Sequence, residues 1–203
     1  MPISDALSTF RGNLTWARSL GVTASAMATL GPLPGIDPDD ILRSALVFSV
    51  SALDTYMHDV IREGMLDIFT GSRPRTKSYD AFMISLATLH AHLGAATVTT
   101  IWIEQEVRRI LGFRTFQKSE KIAEGFSLIS DSKLFSTLAS RMRKRAEEIR
   151  KELDVIVDRR NKIAHEADLD GTLPGSRWPI TTADVSNAAN FIERVVNVAH
   201  SLL

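Results

Sequence analysis

The sequence predicts an all-α fold, an elongated bundle of about six to seven helices. Three observations carry that prediction. Apolar residues recur at helical spacing along nearly the whole chain, the segments start and stop on helix-capping residues, and no stretch alternates apolar with polar residues long enough to require a strand.

The first helix is expected from Ser4 to about Leu30, stopping at the breaker-rich GPLPGIDP, residues 31–38. Asp37 followed by Pro38, Asp39 and Asp40 is a strong start signal: a carboxylate N-cap, a proline at the first helical position, and acid facing the positive end of the dipole. A long helix should run from Pro38 to about Phe69. TGSRPRTK, residues 70–77, reads as a loop with a small basic cluster. Two shorter helices fit SYDAFMISLATLHAHL and TVTTIWIEQEVRRIL, separated near Gly94 and closed by Gly112. SEKIAEGFSLI reads as a short helix. From about Ser132 to Asp168 the pattern is helical with no proline or glycine inside it, an element long enough to bend or break once. GTLPGSRWP, residues 171–179, ends it, and Thr181 or Thr182 then caps a last helix with Asp184 in its first turn.

A chain of 203 residues can bury one sizeable core, so residues 1–203 are read as a single domain. Its 24 basic residues balance 24 acidic ones, so attraction to nucleic acid or anionic membrane has to come from a local patch. With no cysteine there is no disulfide, no thiolate catalysis and no cysteine-bound zinc, a usage that fits a reducing compartment, the cytoplasm. MPISDALSTFR lacks the basic region and apolar run of a secretory signal. Ala81 to Ile103 carries no formal charge, but its histidines, glycine and threonines suit buried amphipathic helices better than a membrane span.

The chemistry is concentrated in RRNKIAHE, residues 159–166. At about 100° per residue, Leu153, Ile156, Val157, Ile163, Ala164 and Ala167 share one stripe, and Arg160 falls near its middle. An arginine on an apolar face is costly unless its charge is paired or meets a ligand. On the flank, Asp154, Asp158, Asn161 and His165 follow one another at steps of four, three and four. Asn161 is therefore expected to hold or orient His165, with Asp168 able to do so from the other side. Arginine supplies an unconditional cation for phosphate, and histidine titrates near neutrality and can move a proton. Together they suit RNA cleavage, in which a base deprotonates the 2′-hydroxyl and a cation stabilises the pentacoordinate phosphate without a metal or other cofactor.

RNKIAH resembles the motif of the HEPN superfamily, an arginine followed at four to six residues by a histidine on a late helix, with a polar residue just after the arginine. Those positions are Arg160, Asn161 and His165. The similarity is closer to the RiboL-PSP-HEPN type, through IAHE after RN, through FQKSEKIAEGF (116–126) and through SALDTYMHDVIREG (51–64). The resemblance covers the chain from about Leu42 to its end. It implies a homodimer in which two such helices meet across a two-fold axis, so that Arg160 and His165 of both chains form one cleft. It also implies an endoribonuclease acting without metal, a toxin or defence effector with an antitoxin or defence-system partner protein. Ala167 stands where HEPN proteins of nucleotidyltransferase-paired systems carry a tyrosine, so control by adenylylation there is not implied.

Arg141, Arg143, Lys144 and Arg145 of RMRKR, the densest basic run, are the candidate RNA-phosphate contacts, with Arg150 and the Arg73, Arg75, Lys77 loop as further basic positions. His90 and His92, two apart, point about 200° away from each other on a helix and read as structural rather than metal-binding. Asp54 and His58 read as an ordinary pair, and His200 has no partner pattern. Trp16, Trp102 and Trp178 form no stacking platform, and the Gly31, Gly35 and Gly171, Gly175 pairs lack the strand and helix of a phosphate loop. Two alternatives stand beside the nuclease: a non-catalytic HEPN module binding RNA, a nucleotide or a protein partner, and a dimerisation domain in which Arg160 makes an ion pair across the interface.

Overall fold

A computed structural model describes residues 3–31, 34–92, 100–173 and 175–203. Among them run α1 (Ile3–Thr29), α2 (Pro38–Phe69), α3 (Lys77–Asp80), α4 (Leu86–His92), α5 (Ile101–Leu111), α6 (Ser119–Ser127), α7 (Leu134–Met142), α8 (Ala146–Glu166) and α9 (Thr182–His200). The fold is all-α. Its only sheet-like pairing among these residues is an isolated bridge between Leu169 and Arg177.

Among the described residues nine helical segments stand where six to seven were expected, because two expected elements break. The helix read over 78–93 splits after Asp80. Ser85 Oγ accepts from the Thr88 amide at 3.0 Å and offers the backbone a fresh N-cap in place of a continued helix. The element read over 132–168 breaks once, at Arg143, whose left-handed φ of 53° lets α7 fold back against α8 and α9. The Glu148 carboxylate then accepts from the Arg145 amide and starts α8. The expected helix boundary at Gly94 and the start at Thr97 lie outside the described residues.

Where strong caps were legible, the ends agree. Asp37 accepts from the Asp39 amide ahead of Pro38, and Thr181 and Asp184 form a reciprocal capping box on α9. α2 runs through the middle, against α1, α5, α6, α8 and α9, and is apolar around most of its circumference, as a central helix must be. The larger apolar cluster holds Phe10, Leu53, Tyr56, Phe116 and Phe126, each worth roughly 1.5–3 kcal/mol on burial. A smaller cluster, with Leu42, Leu46, Ile180 and Val185, fills the end where α1, α2 and α9 meet. Ile156 of α8 packs against both. No described helix is long and apolar enough to cross a membrane.

Candidate functional site

α8 carries RRNKIAHE on its last two turns. The first half of its apolar stripe is sealed by the bundle, with Ile149, Leu153 and Val157 buried. The second half is not: Ile163 is half-buried, and Ala164 and Ala167 are exposed. Arg160 sits at the changeover, half-buried. Its Nη1 donates to Asn161 Oδ1 at 3.1 Å, while its Nε is buried with no hydrogen-bond partner among the described residues. A buried donor left without an acceptor costs on the order of 1–3 kcal/mol, so this guanidinium is under-satisfied within one chain.

His165 is exposed on the neighbouring flank and makes no hydrogen bond or ion pair among the described residues. The expected support from Asn161 or Asp168 is absent, because Asn161 is turned to Arg160 and Asp168 points into the protein. The ridge divides in two. Asp154 accepts from the amide and hydroxyl of Ser119 at 2.8 and 2.9 Å, capping α6 from outside, and Asp158 pairs with Lys118. The amino-terminal half of the ridge thus holds α6, and the half with Asn161 and His165 stays open.

The cluster that fixes this end of α8 was not visible in the sequence. α8 ends through two left-handed residues, Ala167 and Asp168, which turn the Asp168 carboxylate to full burial. Its Oδ2 accepts from Arg43 Nε at 2.8 Å and Arg159 Nη2 at 2.7 Å. Both arginines also donate to the Trp178 carbonyl, and the Trp178 amide donates to Asp168 O. The loop after the motif is thereby tied to α2. A hint was present in Arg43, a charge on a buried face of α2 that needed a carboxylate, but its partner lies 125 residues away.

RMRKR lies at the opposite end of α8, so Arg145 and Arg160 are separated by about 22 Å of helix. All four basic residues of the run are exposed. Lys144 pairs with Glu152 and Arg145 with Glu148, whereas Arg141 and Arg143 have no ion pair among the described residues. In the other basic cluster, Arg73 donates to the Ile129 and Leu203 carbonyls, and Arg75 pairs with Asp80. Three of the remaining histidines have partners among the described residues. His58 lies 3.9 Å from Asp54, whose carboxylate accepts from the Phe116 amide and Gln117. His92 stacks on Trp102. His200 has the partner the sequence did not show, its Nδ1 lying 3.3 Å from the Tyr56 hydroxyl.

Beside Arg160, Ile163 and Ala167 face Val47 and Phe48 of α2 across an open cavity of about 400 Å³. No group of three or more His, Asp or Glu among the described residues could hold a metal ion.

A model of the RiboL-PSP-HEPN family matches residues 24–203, and the chain belongs to that family. Comparison with curated proteins and with solved structures finds no match.

Proposed function

We propose that this HEPN module is an endoribonuclease whose active site is built by two copies of the chain. The observation that carries the proposal is the state of Arg160: a guanidinium at the middle of an apolar stripe, with Nε buried and unpartnered, next to an exposed imidazole about one and a half turns on. An anionic phosphate oxygen meeting the half-buried guanidinium would offset its charge. The uncovered end of the stripe, where Ala164 is exposed, supports a second copy meeting the first through an isologous contact beside the opening that Ile163 and Ala167 share with Phe48.

In the proposed step one imidazole takes the proton of the 2′-hydroxyl, and the 2′-oxygen forms a bond to phosphorus as the bond from phosphorus to the 5′-oxygen breaks. Water protonates the departing 5′-oxygen, and the imidazolium then returns its proton to solvent. The guanidinium of Arg160 faces the charge that builds on the phosphoryl oxygens, and Asn161 holds that guanidinium in place. The products are a 2′,3′-cyclic phosphate and a free 5′-hydroxyl. Arg141 and Arg143, exposed and unpaired, would add phosphate contacts further along the RNA. Such an activity suits a toxin or defence effector, with a partner protein restraining it by covering the motif face.

The test is RNA cleavage in the presence of a chelator by the wild type and by His165→Ala. Cyclic-phosphate ends with the wild type and loss of cutting in the variant are expected; full cleavage by the variant would refute the assignment. RNA binding that survives His165→Ala without cleavage by either protein would identify a binding module instead.

A further inference from the structure

The cavity between α2 and α8 has the chemistry of a base pocket. Its lining is apolar at Val47, Phe48 and Ile163 and charged at Asp40, Arg43 and Arg177. Its volume, about 400 Å³, lies in the range of small-ligand sites. Phe48 presents an exposed ring able to stack on a base, which for single-stranded RNA is sequence-tolerant. The charged part of the lining discriminates. Asp40, 52% exposed, accepts from Arg43 and Arg177 through Oδ1 alone, and its Oδ2 takes no hydrogen bond among the described residues. Arg43 is 7% exposed and locked by Asp168 and the Trp178 carbonyl, so the carboxylate beside it is held in place. Arg177 uses only Nη1 on Asp40, leaving Nε and Nη2 to donate.

A fixed carboxylate oxygen next to free guanidinium donors is the complement of an edge carrying an N–H donor beside carbonyl and ring-nitrogen acceptors. Guanine presents that edge, with N1–H and N2–H₂ for a carboxylate and O6 and N7 for arginine. Adenine, with an N1 acceptor and an N6–H₂ donor, and cytosine, with an N3 acceptor and an N4–H₂ donor, reverse the Watson–Crick part of it. Ile163 and Ala167 lie three and seven residues past Arg160, about 5–10 Å along α8, within reach of the nucleotide next to a phosphate at Arg160. Resting on the RNA-cleaving reading, we infer that this pocket takes an unstacked guanine base adjoining the scissile phosphate and gives the site its sequence preference.

The test is binding, measured by fluorescence anisotropy on the full chain carrying His165→Ala, so that the probe survives. The probes are a short oligocytidylate with one central guanosine and its adenosine and inosine counterparts. Guanosine should bind about tenfold more tightly than adenosine, with inosine between them because it lacks the N2 amine. Asp40→Asn should erase the preference, and so should Arg177→Gln, which leaves Asp40 paired with Arg43. Phe48→Ala should weaken guanosine and adenosine probes together, by about fivefold or more. Equal affinity for all probes, or no affinity for any, overturns the pocket. So does a Phe48→Ala protein that changes its sedimentation but binds the guanosine and adenosine probes as tightly as before, which would make Phe48 a contact between copies. Wild-type cleavage in chelator is judged separately: cutting without guanine preference removes the pocket alone, and guanine preference without cutting removes the nuclease reading alone.

Discussion

At the residue scale, the most consequential side chain outside the motif is Asp168. Its carboxylate is fully buried between Arg43 and Arg159, so its loss would leave Arg159 without its carboxylate and Arg43 with only the half-exposed Asp40, 3.3 Å away. Breaking a buried pair from one side costs about 3–5 kcal/mol, and Asp168→Ala should lose stability of that order in urea unfolding. A loss below about 1 kcal/mol would show that solvent reaches the cluster. His200 makes a different prediction. Burial lowers its pKa, and Arg11 nearby lowers it further. Neutral His200 accepts from the Tyr56 hydroxyl, provided its own proton is on Nε2; the imidazolium has no lone pair to accept with. The folded pKa therefore lies below the unfolded value of about 6.5, and the unfolded chain takes up the proton first as pH falls. Stability from this residue is present above that pH and drains away below it, until the folded protein protonates too. The melting temperature of His200→Gln should fall less steeply than that of the wild type on acidification through this window, and parallel curves would dismiss the effect.

At the element scale, two helical glycines of opposite surroundings make a paired prediction. A Cβ at Gly125 of α6 would lie 2.5 Å from Ile61 Cδ1 and 2.7 Å from Phe116 Cε1, both in fully buried side chains. Overpacking of about 1–3 kcal/mol exceeds the gain in helix propensity of about 1 kcal/mol, so Gly125→Ala should destabilise. Gly12 of α1 is exposed, with nothing within 4 Å of the same atom, and Gly12→Ala should stabilise by nearly the full propensity term. Thermal melts of the two variants should move in opposite directions. What the sequence disclosed about the elements follows the same locality. Asp37 with Pro38, and Thr181 with Asp184, act on amides two or three residues away, so α2 and α9 could be read at their starts. The turn at Arg143 answers to the packing of α7 on α8 and α9, a long-range demand with no local signature beyond a run of like charges. Arg160, Asn161 and His165 were legible because they share one short helical segment. The pairing of Asp168 with Arg43 was not, because no pattern in one segment names its partner in another.

At the scale of the whole molecule, the proposed active site is incomplete in one chain. α8 seals Leu153 and Val157 against the bundle and leaves Ala164 and Ala167 open, and among the described residues the only hydrogen bond from the Arg160 side chain goes to the adjacent Asn161. A site completed by a second copy can be tested by complementation, because a two-fold axis brings residues of different chains into one cleft. Arg160→Ala and His165→Ala homodimers should each be inactive. When the two variants are mixed and allowed to exchange, the mixed dimer retains one arginine and one histidine in the shared cleft, and cleavage should reappear at a fraction of the wild-type rate. A site contained within one chain predicts no recovery at any mixing ratio, since neither polypeptide then carries both groups. Differently tagged subunits, co-purified to prove that mixed dimers exist, make a negative result decisive: exchange without recovered cleavage would place the arginine and histidine of each chain in separate, self-contained sites.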